Sequence, residues 1–386
     1  MIEIKDKKYC CGCTACANIC PKNAIKMQAD NEGFLYPNIN MEKCINCHMC
    51  EKVCPYNKKV KKKNVPKGYV VQNINKDVLK ESTSGGFFDA LANYIIDNDG
   101  YVCGAILNDR LKVVHIITNK KTDIRKFRGS KYVQSDISNI YSCIKELLDK
   151  NKHVCFSGTP CQVIGLNNYL NKEYDNLITV DFCCRSVPSP LLFEKYKDFM
   201  QEKYKSQIEN LYFRKKTYGY HHGTLRIVFN NGKVYNGSNR VDMFNKTFHS
   251  DKCSRPSCYN CIAKGIKRVS DFTIFDSWHP NKLNNNIVDN DKGYTNLLIQ
   301  SKKGEEVFEK QLKKSFIYYE INPNAASDFT GGMLEDSIEY SKERENFYHD
   351  LNTIGFKKTT KKYIKISCKD KAIEALKKII YKKNEE

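Results

Sequence analysis

The sequence predicts an α+β protein. A small cysteine-rich domain is expected over residues 1–56, a mixed α/β domain over 68–330 and a helical C-terminal extension over 331–386. Three observations predict it. A cysteine run occurs twice near the amino terminus, strand-like and helix-like segments alternate from Gly68 onward, and a charged helical pattern begins near Glu335. A chain of 386 residues is long enough for two or three domains and an ample core.

The first run reads Cys10-Cys11-Gly12-Cys13-Thr14-Ala15-Cys16-Ala17-Asn18-Ile19-Cys20-Pro21. The second reads Cys44-Ile45-Asn46-Cys47-His48-Met49-Cys50-Glu51-Lys52-Val53-Cys54-Pro55. Both fit C-x2-C-x2-C-x3-C-P, the spacing by which bacterial ferredoxins hold cubane iron–sulfur clusters. Three close thiolates wrap three irons of one cubane, and the fourth, turned away by its proline, reaches the other. Cluster I is therefore assigned Cys10, Cys13, Cys16 and Cys54, and cluster II Cys44, Cys47, Cys50 and Cys20. Cys11 has no place in this scheme. Paired zinc knots are the alternative, but they leave the third cysteine and the repeated Cys-Pro without a reason. A disulfide scaffold would want an export signal.

No basic-then-apolar leader pattern opens the chain, and no apolar run is long enough to span a bilayer, so a cytoplasmic protein is expected. In that reducing compartment nineteen cysteines predict metal or redox work. The formal charge of +20 overstates the basicity, because each [4Fe-4S] core with four thiolates carries about −2. What remains suits docking of an acidic redox partner or a phosphorylated cofactor. Nucleic acid is not expected, because the lysines are scattered and no aromatic–basic recognition motif stands out.

Taken in order, residues 33–37 supply strand-and-turn material between the two runs. Residues 57–67 are basic, with one proline and no apolar face, and read as a solvated linker. Strands are expected at 69–72, 101–107, 113–118, 153–157, 177–184 and 271–275, and another near Leu297. Residues 224–229 and 233–235, joined through Asn230-Asn231-Gly232, read as a hairpin. Helices are expected at 87–96, 137–148, after Pro160, at 190–200 and at 305–312. In the extension, Ile373, Leu376, Ile379 and Ile380 among lysines have the spacing of a helix packed on the body. A helix resting on a membrane surface has the same spacing, and the packed helix is the preferred reading.

A second cysteine constellation lies in the larger domain. Cys258-x2-Cys261 brings two thiolates to one metal corner, and a cubane needs two more. Cys161 and Cys184 each follow a predicted strand, while Cys253 and Cys183 compete for the same role. Cys103, Cys143, Cys155 and Cys368 read as small apolar space-fillers. By spacing alone a zinc site remains the alternative to a third cluster.

Several segments of residues 68–322 resemble the beta-subunit family of coenzyme F420 hydrogenases and dehydrogenases. They are Ser82-Thr83-Ser84-Gly85-Gly86, Phe127-Arg128-Gly129-Ser130-Lys131-Tyr132-Val133-Gln134, Gly158-Thr159-Pro160-Cys161-Gln162, Val187-Pro188-Ser189-Pro190, and Arg255-Pro256-Ser257-Cys258-Tyr259-Asn260-Cys261 with Val269-Ser270-Asp271 behind it. The resemblance implies bound FAD, one [4Fe-4S] cluster close to it, and electron exchange with F420, ferredoxin or a partner subunit. It assigns the third cluster to Cys161, Cys184, Cys258 and Cys261. It also implies a flavin site built from Ser82, Ser84, Gly85, Gly86, Ser130, Lys131, Tyr132, Gly158 and Thr159. A Ser-x-Ser-Gly-Gly turn before a helix suits a pyrophosphate, and Lys131 suits a phosphate or the N1–C2 region of a reduced flavin. Two segments depart from the family pattern. Cys184-Arg185-Ser186-Val187-Pro188-Ser189 replaces Cys-His-Gly-Val-Pro-Ser, and Phe275-Asp276-Ser277-Trp278-His279 replaces Gly-Asp-Phe-Trp-Gly.

The function expected is that of an iron–sulfur flavoprotein oxidoreductase. It would pass electrons between a two-electron carrier at FAD and one-electron partners through three [4Fe-4S] clusters, alone or in an oligomer. One rival is a ferredoxin-driven flavin reductase of a specific organic substrate, kept open by the two altered segments. The non-enzyme rival is an interaction protein with structural clusters. No side chain is marked as a general base; His221, His222 and His279 are the candidates.

Overall fold

The computed structural model describes residues 1–58 and 65–382, so the linker expected at 57–67 lies mostly outside the described residues. Between the two cysteine runs, β1 (Ile25–Ala29) and β2 (Leu35–Ile39) form an antiparallel ribbon. Asp30 organises its turn by accepting from the Glu32 and Phe34 amides, at 3.0 Å each. Each cysteine run contains one turn of helix, Ala15–Asn18 or Met49–Lys52, entered through a left-handed residue, Thr14 or His48. The same spacing produces the same bend twice.

The body is built on an eight-stranded sheet. Its strands are β3 (Lys67–Asn73), β4 (Tyr101–Leu107), β5 (Val113–Thr118), β6 (Val154–Ser157), β7 (Leu177–Phe182), β11 (Phe272–Ser277), β12 (Tyr294–Ile299) and β13 (Phe316–Ile321). A separate three-stranded sheet holds β8 (Ile208–Lys215), β9 (Thr224–Phe229) and β10 (Val234–Ser238). The large sheet runs β13-β3-β12-β11-β7-β6-β4-β5. Strands β4, β6, β7 and β11 are mutually parallel, and the flanking strands are antiparallel to their neighbours. A strand covered on both faces wants apolar residues at every position, and β12 is buried along its whole length.

Most expected elements lie within a few residues of their sequence positions. The helix expected at 137–148 is Ile140–Asp149, because Ser138 takes a left-handed turn at φ 49° ahead of it. Strand β8 was not foreseen, since register shifts between Ile208 and Asn210 and between Tyr212 and Lys215 break its period of two. Strand β13 follows a lysine pair and is exposed over half its length, so it offers little alternation.

The cysteine-rich unit shares its core with the body. Cys13, Ala15 and Val53 pack with Tyr141, Ile144, Val163 and Leu166, while Phe34 packs with Leu192, Phe193 and Tyr348. The unit's own cluster is small: Ile2, Cys16, Ile25, Cys50 and Cys54.

Residues beyond 343 form the helices Arg344–Thr353, Gly355–Tyr363 and Cys368–Lys382. Buried Glu374 of the last helix accepts hydrogen bonds from the Ser238 hydroxyl and amide, and the Tyr381 hydroxyl donates to Asp291 at 3.0 Å. Leu376, Ile379 and Ile380 stay exposed on its other side. Among the described residues no helix is long and apolar enough to cross a membrane.

Arg344 closes the ribbon against the body. Its Nε donates to the Ser254 carbonyl at 2.8 Å, and its two terminal nitrogens form a fork on the Glu32 carboxylate. Both side chains are largely buried, at 5% and 12% exposure. Removing one member of a buried pair strands the other charge. Glu32→Ala should therefore cost about 3–5 kcal/mol in denaturant unfolding, while exposed Glu42→Ala should cost less than about 0.5 kcal/mol.

Candidate functional site

Because β4, β6, β7 and β11 are parallel, their carboxyl ends share one edge of the sheet. The antiparallel pairing of β11 with β12, and of β12 with β3, brings Tyr294, Thr295 and Asn73 to that edge as well. Ligands of open α/β sheets bind outside such an edge. The loop after β6 carries Gly158, Thr159 and Cys161; the loop after β7 carries Cys183, Cys184 and Arg185; Trp278 follows β11. Separate stretches of sequence thereby become one site.

Two cavities in the amino-terminal unit sort its cysteines. Cys10, Cys13, Cys16 and Cys54 line one, together with Cys11, Thr14 and Tyr56. Cys20, Cys44, Cys47 and Cys50 line the other, together with Met1, Ile45 and Met49. Apart from Cys11, each cavity thus takes three thiols from one run and a fourth from the other. The first set is buried against the body, whereas in the second Cys47 is exposed and Cys20 and Cys44 are half-buried. Backbone amides already point at sulfur in the second set, Ile2 N to Cys50 Sγ at 3.2 Å and Ala24 N to Cys20 Sγ at 3.3 Å. Soft thiol donors in fours, facing a common hollow, fit an iron–sulfur cluster.

The remaining candidates also converge. Burial, then the thiols of Cys258, Cys161 and Cys261, push the Cys184 pKa well above its ordinary value. Burial and then Cys261 push Cys258 up to about 12. The thiols thus lie close enough to one another to disfavour their ionised forms. Cys253 is buried among aromatic rings and donates to the Thr247 carbonyl, and Cys183 packs with Phe275, Leu298 and Leu334. Among the described residues no three His, Cys, Asp or Glu side chains close up as round a single metal ion.

Helix Pro160–Leu170 joins the two regions. Thr159 caps it in a reciprocal box with Gln162, which aims Cys161 from its first turn. Farther along, the Cβ position of Gly165 lies 2.8 Å from Cys13 Cβ and 2.9 Å from Cys13 Sγ. The Asn168 amide donates to the Val53 carbonyl at 3.2 Å, and Asn18 donates to the Ser138 carbonyl at 2.8 Å. Cys11, left without a role by its spacing, has its thiol close enough to those of Cys13 and Cys161 to shift its pKa. Only folding reveals that contact.

The residues implied for a flavin form a neighbouring strip. Gly85 lies against the sheet edge, where a Cβ would stand 2.3 Å from the Val71 carbonyl oxygen and 2.7 Å from Thr295 N. Thr295 Oγ1 meets both Ser84 Oγ and Gly85 N at 2.8 Å. Gly86, at φ 77°, starts helix Phe87–Asp97 with no side-chain cap, and Ser82 is buried beside it. Ser130 N donates to Thr83 Oγ1 at 2.9 Å, tying the two loops together. Lys131 Nζ donates to the carbonyls of Lys126, Phe127 and Arg128, and burial pulls its pKa down to about 7. Tyr132 stacks on Phe248 at 5.0 Å.

The altered segment builds a cationic–aromatic floor. Asp276 pairs with Arg214 and accepts from the Tyr220 hydroxyl at 3.2 Å. Trp278 stacks on Tyr220 at 5.0 Å, with the Arg214 guanidinium 4.5 Å from its ring centre. Arg214 Nη2 is buried with no hydrogen-bond partner among the described residues. Nothing in the sequence marked Arg214, which sits in the unforeseen strand β8. Of the three candidate histidines, only His221 meets this floor, its ring 6.1 Å from that of Trp278. His221 pairs with Asp289 at 2.7 Å, His222 lies 3.9 Å from Glu374, and His279 faces Phe329.

Gly165→Ala tests the helix contact. Its methyl must displace Cys13, so stability should fall by about 1–3 kcal/mol and iron content with it, whereas Ala at solvent-facing Gly232 should leave the iron unchanged.

Residues 9–58 match the 4Fe-4S dicluster domain, and residues 151–323 match the family described as the C terminus of the coenzyme F420 hydrogenase/dehydrogenase beta subunit. The uncharacterized protein MJ1349 of Methanocaldococcus jannaschii is 25% identical over 375 residues, which is 89% of this chain and 96% of the relative. A chain of the F420-reducing [NiFe] hydrogenase complex from Methanosarcina barkeri aligns at a TM-score of 0.44 and 18% identity, covering 78% of this chain and 92% of that one. Residues 151–323 thus carry the C-terminal domain of the coenzyme F420 hydrogenase/dehydrogenase beta-subunit family behind a 4Fe-4S dicluster domain, and the chain is an iron–sulfur redox protein similar to those beta subunits.

Proposed function

We propose that the protein is an iron–sulfur flavoprotein oxidoreductase that exchanges electrons between a two-electron carrier at FAD and a one-electron partner protein. The observation that carries this reading is the placement of twelve cysteines in three adjoining sets, the inner two linked through Cys11. Bound FAD would supply the change from paired to single electrons, and [4Fe-4S] clusters would carry single electrons.

The chain's own residues hold and order these groups. Cys161, Cys184, Cys258 and Cys261 would hold the cluster beside the flavin. Cys10, Cys13, Cys16 and Cys54 would hold cluster I, and Cys20, Cys44, Cys47 and Cys50 would hold cluster II. The Ser82–Gly86 loop would receive the pyrophosphate, with Gly85 keeping the loop against the sheet and Ser130 bracing it. Exposed Cys47 and its surroundings make cluster II the contact for an external one-electron carrier such as ferredoxin. The Arg214–Trp278 floor supports a second reading, a ferredoxin-driven reductase of an anionic organic substrate.

Anaerobic purification tests the reading. About twelve irons and one FAD per chain are expected, and absence of flavin overturns it. Cys54→Ser should abolish the same electron-paramagnetic-resonance signal as Cys10→Ser, and Cys20→Ser the same signal as Cys44→Ser. Bleaching of the flavin by F420H2 or NAD(P)H favours the carrier role. Bleaching by reduced ferredoxin alone favours the reductase.

A further inference from the structure

The side chain of Arg255 is completely buried. Its Nε donates to the Cys10 carbonyl at 2.7 Å, Nη1 to Gln134 Oε1 at 2.9 Å, and Nη2 to the Leu35 carbonyl at 2.9 Å. Nη2 also points at Cys10 Sγ, 3.6 Å away. The guanidinium lies 4.3 Å from the centre of the Tyr36 ring and 5.5 Å from that of Phe34. Every oxygen it meets is neutral. Its titratable neighbours are Cys10, Tyr36, Cys11 and Cys258, and among the described residues no carboxylate is a hydrogen-bond or ion-pair partner. A cation removed from water without an anion is costly, so the missing counter-charge has to come from the sulfur side.

We propose that Arg255 is the built-in counter-charge of cluster I and sets its reduction potential above the value that burial alone would give. The inference rests on the reading that Cys10, Cys13, Cys16 and Cys54 hold a [4Fe-4S] cluster. One-electron reduction takes such a cluster with its thiolates from about −2 to about −3. Burial penalises the more highly charged state and lowers the potential; a fixed positive charge at a ligand sulfur offsets that penalty. Cluster II has a different setting. Its sulfurs receive neutral backbone amides and Cys47 is exposed, so water already screens its charge.

The placement of Arg255 also links two clusters. It stands three positions before Cys258 on the loop entering the short helix Pro256–Asn260, while its guanidinium reaches Cys10 in the amino-terminal unit. The loop that supplies one cluster ligand thereby supplies the charge that tunes the next cluster. Gly12 makes room for it: a Cβ there would lie 2.9 Å from Arg255 Nη1 and 2.3 Å from Gln134 Nε2.

The test is an anaerobic redox titration of the full chain with dithionite, followed by electron paramagnetic resonance. The cluster I signal is the one lost in Cys54→Ser. Arg255→Met should lower the potential of cluster I by at least a tenfold change in its reduction equilibrium, about 59 mV for one electron, and leave cluster II unmoved. Arg255→Lys, which keeps the charge and loses the fork, should recover most of the shift. An unmoved cluster I potential with iron intact, or an equal shift of both clusters, overturns the proposal. Wild-type protein carrying 15N-arginine keeps the proposal testable if Arg255→Met does not fold. A 15N coupling to reduced cluster I supports it, and no coupling overturns it. Absence of any [4Fe-4S] signal from the wild type would overturn instead the reading on which it rests.

Discussion

The contact between Cys13 and helix Pro160–Leu170 at Gly165 governs this structure. A unit of fifty-odd residues buries little apolar surface and is marginal on its own. Here the five-residue cluster around Ile2 and Ile25 is supplemented by the body, with Ala15 and Val53 buried against Tyr141 and Val163. Glycine at 165 lets backbone and sulfur approach within contact distance. The same helix carries Cys161 in its first turn. Packing that completes the small unit's core therefore also fixes the separation between two groups of thiols.

Electrostatics follow from that packing. Gathering thiols away from water raises their pKa, as at Cys184 and Cys258, and disfavours the ionised forms that bind metal. Positive groups stand close to two of the gathered cysteines. Arg255 reaches Cys10, and Lys264 donates to the Cys184 carbonyl at 2.9 Å and weakly depresses that thiol's pKa. Part of the formal excess of +20 is thus internal and directed at sulfur. It does not translate directly into a basic outer surface.

The cysteine pattern made the amino-terminal unit readable, because cubane ligation ties function to a short, fixed spacing. Strands β4 and β5 were legible for a different reason: apolar residues dominate both and the turn between them is local. What depended on distant pairing stayed hidden. Bulged β8 concealed Arg214, and the role of Cys11 emerged only when its run met helix Pro160–Leu170. Lys131 shows the converse. Its motif suggested a phosphate or flavin contact, and in the fold its ammonium group is engaged by the carbonyls of Lys126, Phe127 and Arg128.

The fork between Glu32 and Arg344 spans 312 positions of sequence. At translation rates of about 5–20 residues per second, Arg344 is made roughly 15–60 seconds after Glu32. Throughout that interval the ribbon has been synthesised and its carboxylate remains in water. The cysteine-rich segment is therefore made well before the residue that locks it to the body. Cluster-building machinery has a defined time in which to reach thiols that the finished protein largely encloses.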